Sequence, residues 1–221
     1  MTPIQETITQ ITSQLPPQTR LVAVSKYHPA SSILDAYQCG QRIFGESHVQ
    51  ELKQKAEELP KDIEWHFIGH LQTNKVKYIA PYVSLIHAVD SERLLAEIHK
   101  QGLRCNRRIP CLLQLHIAQE ETKFGFSEEE CLALLDSGVW KNYPNAHICG
   151  IMCMASNVED EEQIASEFQR ANRFFQHCKK VYFHDDTEFA CASWGMSDDY
   201  PIAIAHGSTF VRIGSKIFGN R

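Results

Sequence analysis

The sequence lacks the features that mark membrane-bound, secreted or nucleic-acid-binding chains. None of its 221 residues lies in an apolar run near the length of about 18 that a membrane span needs. The N-terminal stretch MTPIQETITQITSQLPP has no basic region and no apolar segment of the signal-peptide type. The net charge of −5 is mild, and no basic stripe points to nucleic acid. We therefore expect a cytoplasmic protein whose partners include neither nucleic acid nor a membrane.

Closely spaced cysteines of the kind that form a disulfide framework are also lacking. The eight cysteines are scattered from Cys39 to Cys191, and such frameworks belong mainly to short secreted chains. We therefore expect reduced thiols. The stretch HICGIMC raises the alternative of a metal site, because His147, Cys149 and Cys153 share one face of a strand by parity. No fourth ligand is evident, and buried structural thiols are favoured because a free cysteine behaves as a small hydrophobe.

The sequence does contain a regular alternation of short apolar runs and amphipathic segments. Apolar residues recur at helical spacing from Ile4 to Leu15 and predict an N-terminal helix. After it, eight apolar runs predict strands, with helices between them. The predicted strands are residues 21–25, 43–44, 65–68, 83–89, 111–117, 147–152, 190–194 and 210–213.

This alternation indicates the fold. Strands that are apolar on both faces are typical of a parallel sheet, and eight strand–helix units favour a closed barrel over an open sheet. We predict an α/β fold, with one domain over residues 1–221: a single (β/α)8 TIM barrel with an extra N-terminal helix. Capping patterns mark three of the predicted helix starts, namely Ser47 with Gln50, Asp90 or Ser91, and Ser127 with Glu130.

A lysine directly follows the first predicted strand, in LVAVSKYHPA. The active face of such a barrel lies at the carboxyl ends of its strands, so Lys26 is expected in the mouth of the barrel. The residue alone leaves two interpretations open. One is a surface lysine whose stem lies along apolar neighbours. The other is a desolvated amine of lowered pKa that forms a Schiff base with an aldehyde.

The stretch between Ser193 and Gly219 combines glycines with hydroxyl side chains. Glycines let backbone N–H groups approach an anion closely, and hydroxyls add further donors. Barrels frequently bind phosphate at the loops after strands 7 and 8, which is where this stretch lies. It therefore predicts a phosphate site beside Arg212 on the last strand, with ordinary turn chemistry as the alternative.

Six motifs occur in a specific order: AVSK, GQRIFGESHVQE, WHFIGHLQTNK, EETKFGF, SWGMSDD and HGSTFVRIGSKIFG. Together they resemble the family of small pyridoxal-phosphate-binding proteins called PLP homeostasis proteins, over nearly the whole chain. The resemblance implies a fold like the N-terminal barrel domain of alanine racemase, and pyridoxal 5′-phosphate (PLP) held as a Schiff base. It further implies a monomer with a role in intracellular PLP (vitamin B6) homeostasis and no efficient turnover. PLP-dependent apo-enzymes are the candidate recipients.

The resemblance also assigns residues to the cofactor. Lys26 matches the Schiff-base lysine, and Arg212 matches the arginine that faces the pyridine nitrogen. The other positions it places at the PLP site are Ser197, Ser208, Thr209, Gly214 and Ser215 in phosphate-binding segments, and Met196, Ser47, His70 and Asn74 near the cofactor mouth.

Two positions depart from the pattern of that family. Ser47 stands where the family usually has asparagine, so the expected helix cap is retained without an amide for the cofactor. Trp194 replaces the usual methionine, and we expect it to reshape the wall of the site. Lys123 is also expected at the mouth, either as a solvated loop lysine or as a second amine able to accept the cofactor.

Arg212 bears on the chemistry that is possible. A guanidinium can donate a hydrogen bond to the ring nitrogen but cannot protonate it, and an unprotonated pyridine is a poorer electron sink. Transamination is therefore disfavoured, while aldehyde binding or a racemase-like reaction remains. A structural ion pair of Arg212 with Asp198 or Asp199 is the alternative role for this side chain.

Two other functions remain open. A PLP-dependent amino-acid racemase would need a second base, which alanine racemase takes from a further domain that we do not expect in this chain. A metal-free barrel enzyme acting on a sugar phosphate would use the phosphate site and leave Lys26 without an aldehyde.

Overall fold

The computed structural model describes residues 1–118 and 124–219. Its strands pair in parallel and in sequence order, and β8 pairs with β1 to close a barrel. The predicted TIM barrel is therefore confirmed. The strands are β1 (Arg20–Val24), β2 (Ile43–Glu46), β3 (Glu64–Phe67), β4 (Leu85–Val89), β5 (Ile109–His116), β6 (Ala146–Met154), β7 (Cys191–Ser193) and β8 (Phe210–Ile213).

Helices surround the barrel, and the first of them precedes β1, as the sequence predicts. They are α1 (Pro3–Gln14), α2 (Ala30–Gln38), α3 (Val49–Glu58), α4 (Val76–Ile79), α5 (Glu92–Arg104), α6 (Glu128–Asp136), α7 (Glu161–Val181), α8 (Tyr200–Ala205) and α9 (Ser215–Phe218), with 3-10 turns at Thr73–Lys75 and Val139–Asn142. In the described part of the chain, no helix combines the length and the apolar character that a membrane crossing requires.

The core has two layers, because the strands are buried on both faces. A smaller cluster that includes Val22, Leu112 and Phe210 fills the interior of the barrel. A larger cluster lies between the barrel and the helices, where α7 buries Phe168 and Phe175. Burying a large apolar side chain contributes roughly 1.5–3 kcal/mol, so these layers make the barrel a rigid frame for the loops at its ends.

Local capping chemistry sets several helix starts. Ser127 and Glu130 form the predicted capping box at α6, and the hydroxyl of Ser91 accepts the N–H of Leu94 at α5. The predicted cap at Ser47 is wrong. Helix α3 begins at Val49 with His48 in the capping position and no side-chain cap. Ser47 therefore lies before the helix, where its side chain lines the mouth of the barrel.

The side-chain alternation along β6 is interrupted by a bulge. Cys111 of β5 pairs with Ile148, but the next residue pairs with Gly150, so Cys149 has no partner in the register. As a result, Cys149 packs in the barrel interior and Cys153 packs in the outer layer. The predicted shared face of His147, Cys149 and Cys153 is therefore wrong. All eight cysteines are free thiols.

Candidate functional site

A cavity of about 480 Å³ opens at the carboxyl end of the barrel. Its wall comes from the carboxyl-terminal parts of β1, β6 and β8 and from the segments that follow β1, β2, β3, β7 and β8, which is the face where barrels of this kind carry their sites. The predicted site residues that line it are Lys26, Ser47, Met196, Ser197, Arg212, Gly214 and Ser215.

Lys26 is half-buried in this wall, and the backbone on both sides of it is held in place. On one side, the hydroxyl of buried Ser25 donates to Glu46 Oε1 at 2.6 Å, and its carbonyl oxygen accepts from Lys55 Nζ at 2.8 Å. On the other side, the N–H of Tyr27 donates to Glu51 Oε1 at 2.6 Å. Tyr27 adopts a φ of 67°, a strained conformation that this bond helps to hold.

The groups that hold this loop form a buried ionic network between the barrel and α3. Lys55 Nζ lies 2.8 Å from Glu46 Oε1 and 2.7 Å from Glu51 Oε1, and the Glu46 side chain is fully buried. Burial raises the pKa of Glu46, and its hydrogen bond with Lys55 opposes that rise. Sequence reasoning missed this network. The available signal was Glu46, which ends the predicted strand segment RIFGE. A charged residue in such a buried segment is rarely found without a partner, so a partner for Glu46 could have been sought.

Arg212 is 5% exposed and lies on β8 with its guanidinium at the floor of the cavity. Nη1 donates to the carbonyl oxygen of Ser193 at 2.8 Å and to its hydroxyl at 2.6 Å, and Nη2 donates to the carbonyl oxygen of Cys153 at 3.0 Å. A guanidinium has five N–H groups, so two remain outside these bonds. Burial lowers the pKa of Arg212 from its usual value. Within the described residues, Arg212 makes no ion pair with Asp198 or Asp199.

Hydroxyl and backbone donors meet at the other end of the cavity. The N–H of Gly214 donates to Ser197 Oγ at 3.3 Å, and Ser215 follows directly at the start of α9. The loop that carries Ser197 is fixed by Asp199, whose Oδ1 accepts the N–H of Met196 at 2.5 Å. Gly195 in this loop has a φ of 91°, and a Cβ there would lie 2.5 Å from that of Ala203, so glycine is required.

Two of the predicted phosphate-binding residues lie elsewhere. Ser208 and Thr209 precede β8, so they are not at the carboxyl end of the strand that faces the cavity. The hydroxyl of Ser208 donates to the carbonyl oxygen of Trp194 at 2.7 Å, and the hydroxyl of Thr209 accepts the N–H of Ala192 at 2.8 Å. Both side chains therefore join β7 to β8, which corrects their assignment to the phosphate site.

The loop after β3 also carries its predicted site residues away from the cavity. His70 Nδ1 lies 3.0 Å from Asp90 Oδ2, and its ring stacks on Phe124 with centroids 4.1 Å apart. Asn74 is exposed in a 3-10 turn. Neither residue lines the cavity, to which Ile68 contributes from this segment.

Three further residues complete the comparison with the sequence. Trp194 is fully buried and packs against Phe175 in the outer layer, so it does not form the wall that we expected it to reshape. His28 lines the cavity and was missed, although its place two residues after Lys26 was a signal. Lys123 lies outside the described residues.

Comparison with known proteins places the chain in a family. The family model described as "Alanine racemase, N-terminal domain" matches residues 2–221. The pyridoxal phosphate homeostasis protein of Aquifex aeolicus is 36% identical over 203 residues, which are 91% of this chain and 87% of that protein. The chain belongs to the pyridoxal phosphate homeostasis proteins.

A solved structure at 33% identity shares the whole barrel. PipY of Synechococcus elongatus, solved with PLP bound, superposes with a TM-score of 0.88 at 33% identity and covers 98% of this chain and 100% of PipY. PipY solved without PLP superposes with a TM-score of 0.91 over the same shares. The resemblance carried by the six motifs is therefore confirmed for the pyridoxal phosphate homeostasis family and for its fold.

Proposed function

We propose that the chain binds PLP in the cavity at the carboxyl end of the barrel and serves in intracellular PLP homeostasis. The observation that carries this proposal is that one cavity wall presents the amine of Lys26, the guanidinium of Arg212 and the hydroxyls of Ser197 and Ser215. The PLP bound in PipY, at 33% identity, supports the same assignment.

The chemistry of this wall fits the three polar parts of PLP. Lys26 supplies an amine for the aldehyde, with which it forms a Schiff base and releases water. The two remaining N–H groups of Arg212 suit the pyridine nitrogen, and the hydroxyls of Ser197 and Ser215 suit the phosphate, with the N–H of Gly214 positioning Ser197. The cavity volume of about 480 Å³ lies within the usual range for small-ligand sites, about 300–1,000 Å³.

The protein groups that we assign to PLP favour holding the cofactor over using it. When bound, PLP supplies a reactive aldehyde and an electron-withdrawing ring. Arg212 keeps its proton, so the ring nitrogen accepts a hydrogen bond without becoming protonated, which weakens the ring as an electron sink. We therefore propose that the protein has no efficient turnover. The racemase alternative needs a second base, for which His28 is the imidazole in the cavity wall.

Further parts of the proposal concern the state of the protein in the cell. We propose a monomer, as the resemblance to the family implies. Eight free cysteines support a reducing compartment such as the cytoplasm. PLP-dependent apo-enzymes are the proposed recipients of PLP.

Turnover and transfer can be measured on the same sample. We expect exchange of the α-proton of L- and D-amino acids in deuterated water to stay well below about 1 s⁻¹, the low end of ordinary enzyme rates. We also expect PLP to pass to an added apo-enzyme, which then becomes active. Exchange at about 1 s⁻¹ or faster that is lost in His28→Ala would contradict the carrier function and favour the racemase alternative.

The assignment of the phosphate site predicts how variants rank in their affinity for PLP. Ser197→Ala combined with Ser215→Ala is expected to weaken PLP binding by roughly 100-fold, because two charge-assisted hydrogen bonds are lost. Arg212→Gln is expected to weaken PLP binding less, because Arg212 is assigned to the neutral ring. Titration by fluorescence or absorbance gives the three dissociation constants.

Two controls accompany this ranking. Thr209→Ala removes a hydroxyl that bonds to Ala192 and does not line the cavity, so PLP affinity should stay native. Pyridoxal, which lacks the phosphate, should bind the double variant and the native protein equally. A larger loss from Arg212→Gln than from the double variant would overturn the assignment of the phosphate site.

A further inference from the structure

A continuous line of hydrogen bonds runs from Arg212 into the interior of the barrel. Arg212 Nη1 lies 2.6 Å from Ser193 Oγ, Ser193 Oγ lies 2.9 Å from His87 Nδ1, and His87 Nε2 lies 2.9 Å from His66 Nδ1. The four residues belong to β8, β7, β4 and β3, so the line crosses the barrel. Ser193 and His87 are fully buried, and His66 is 2% exposed.

Apolar packing does not account for this line. The neighbouring interior positions hold Val22, Leu112 and Met152. The ring of Phe210 packs against both imidazoles, with centroids 5.4 Å from His66 and 6.2 Å from His87. Burying polar groups costs free energy unless they are hydrogen-bonded to one another. Two imidazoles at these interior positions therefore indicate a role that apolar side chains such as leucine could not take.

Both imidazoles are neutral in this setting. Burial lowers the pKa of His66 to about 3, and the charge of Arg20 acts in the same direction. Burial also lowers the pKa of His87 well below its usual value, aided by His66 and by the charge of Arg212. A neutral imidazole has one N–H donor and one acceptor nitrogen, so each ring passes a hydrogen bond on in a single direction.

Satisfying every donor favours one direction, because among the bonds of the described residues the buried O–H of Ser193 has no acceptor other than His87. Arg212 can only donate, so Ser193 Oγ accepts from it and has one O–H left to donate. When that O–H donates to His87 Nδ1, the Nε2–H of His87 donates to His66 Nδ1, and every bond points away from Arg212. Hydrogen bonds aligned in this way strengthen one another, so Ser193 becomes a better acceptor for the guanidinium.

We propose that His87 and His66 are positioning residues that act through Ser193 to hold the guanidinium of Arg212 against the cavity floor. The carbonyl oxygens of Ser193 and Cys153 support the same side chain, and these bonds leave two of its five N–H groups for a ligand in the cavity that Arg212 lines. The inference rests on the proposed function in one respect: the group that these N–H groups meet is taken to be the PLP ring.

The first test uses the protein without PLP. In ¹⁵N-edited NMR spectra, His87 should carry its proton on Nε2 and none on Nδ1, and the Nη groups of Arg212 should rotate slowly. His87→Leu should make that rotation fast, while His87→Asn, which can still accept from Ser193, should keep it slow. His147→Leu is the matched control, because His147 is also a buried histidine and lies 3.4 Å from Asp186, with no bond to the line from Arg212.

The second test measures PLP binding. Loss of one neutral hydrogen bond in the line is expected to weaken PLP about fivefold to tenfold in His87→Leu and to shift its absorption maximum. His87→Asn and His147→Leu should behave as the native protein does. Should His87→Leu fail to fold, Ser193→Ala removes the same link by deleting one atom and is expected to give the same changes.

The outcomes separate this inference from the proposed function. Slow Nη rotation and native PLP affinity in both His87→Leu and Ser193→Ala would overturn the positioning role. If the native protein itself failed to bind PLP, the proposed function would fall, and the NMR comparison of Arg212 would still decide whether His87 holds it.

Discussion

Replacing Lys26 by alanine is expected to abolish the visible absorbance of the PLP-loaded protein. The amine of Lys26 is the group in the cavity wall that we assign to the aldehyde, so its removal leaves PLP bound only through its ring and phosphate. Reduction of the native protein with borohydride should fix the chromophore on the peptide that contains Lys26. Absorbance spectra before and after reduction, with peptide mapping, make this measurement.

A neighbouring lysine provides the control for this experiment. Lys216 follows Ser215 directly, and its Nζ lies 5.2 Å from the centre of the Tyr200 ring, yet it is not part of the cavity wall. Lys216→Ala should therefore keep the native spectrum. If Lys26→Ala kept the same visible band, the assignment of the Schiff base to Lys26 would be wrong.

The large effect expected at Lys26 depends on how the fold presents it. Lys26 follows a buried strand, and hydrogen bonds hold the residues on either side of it. The amine therefore meets its ligand without first ordering the loop, an entropy cost of about 1–2 kcal/mol for each residue fixed. The same reasoning applies to Arg212, whose guanidinium is already bonded to Ser193 and Cys153.

Local patterns in the sequence predicted the barrel and part of its site. The alternation of apolar runs and amphipathic segments depends on near neighbours, and the capping box of Ser127 and Glu130 spans one helical turn, so both can be read from the chain. Lys26 and Arg212 could be placed at the cavity because each lies in or beyond the carboxyl half of its strand. In a parallel barrel, this position decides at which end of the barrel a residue lies.

The errors arose where geometry depends on more than local pattern. A bulge at Cys149 reverses the alternation along β6, and parity cannot foresee it. Ser208 and Thr209 belong to the motif that contains Arg212, but they precede the strand and lie towards its other end. The bond between His87 and Ser193 joins residues 106 positions apart, so only the closed barrel brings them together.

Breaking the ionic network behind Lys26 is expected to cause an unusually large loss of stability. Lys55→Met removes the partner of buried Glu46 while keeping most of the apolar stem, and leaves a carboxylate that burial destabilises. Breaking a buried ion pair from one side costs about 3–5 kcal/mol, because the remaining charge is uncompensated. We expect a fall of this size in the free energy of unfolding, measured in urea at pH 7.5.

A lysine on the same helix is the matched control. Lys53 pairs with Glu57 at 3.8 Å on the surface, where about half of its side chain is exposed. Exposed pairs of this kind contribute about 0.5 kcal/mol or less, so Lys53→Met should leave the unfolding midpoint close to native. Equal losses in the two variants would show that burial of the Lys55 pair adds nothing to stability.

The pH dependence of the Lys55→Met loss identifies Glu46 as its cause. Burial raises the pKa of Glu46 in the folded protein, and removing Lys55 raises it further, because Lys55 opposes the rise. A carboxyl whose folded pKa lies above its unfolded value, 4.5 for this group, favours the folded state below that value and loses this contribution as pH rises through the folded pKa. The loss in Lys55→Met, taken against the native protein at each pH, should therefore shrink as pH falls from 7.5 to 5.

A double variant tests the same cause. Lys55→Met combined with Glu46→Gln should recover most of the lost stability at pH 7.5. If the loss in Lys55→Met instead stayed constant with pH, the effect would be traced to the bond between Lys55 and Ser25.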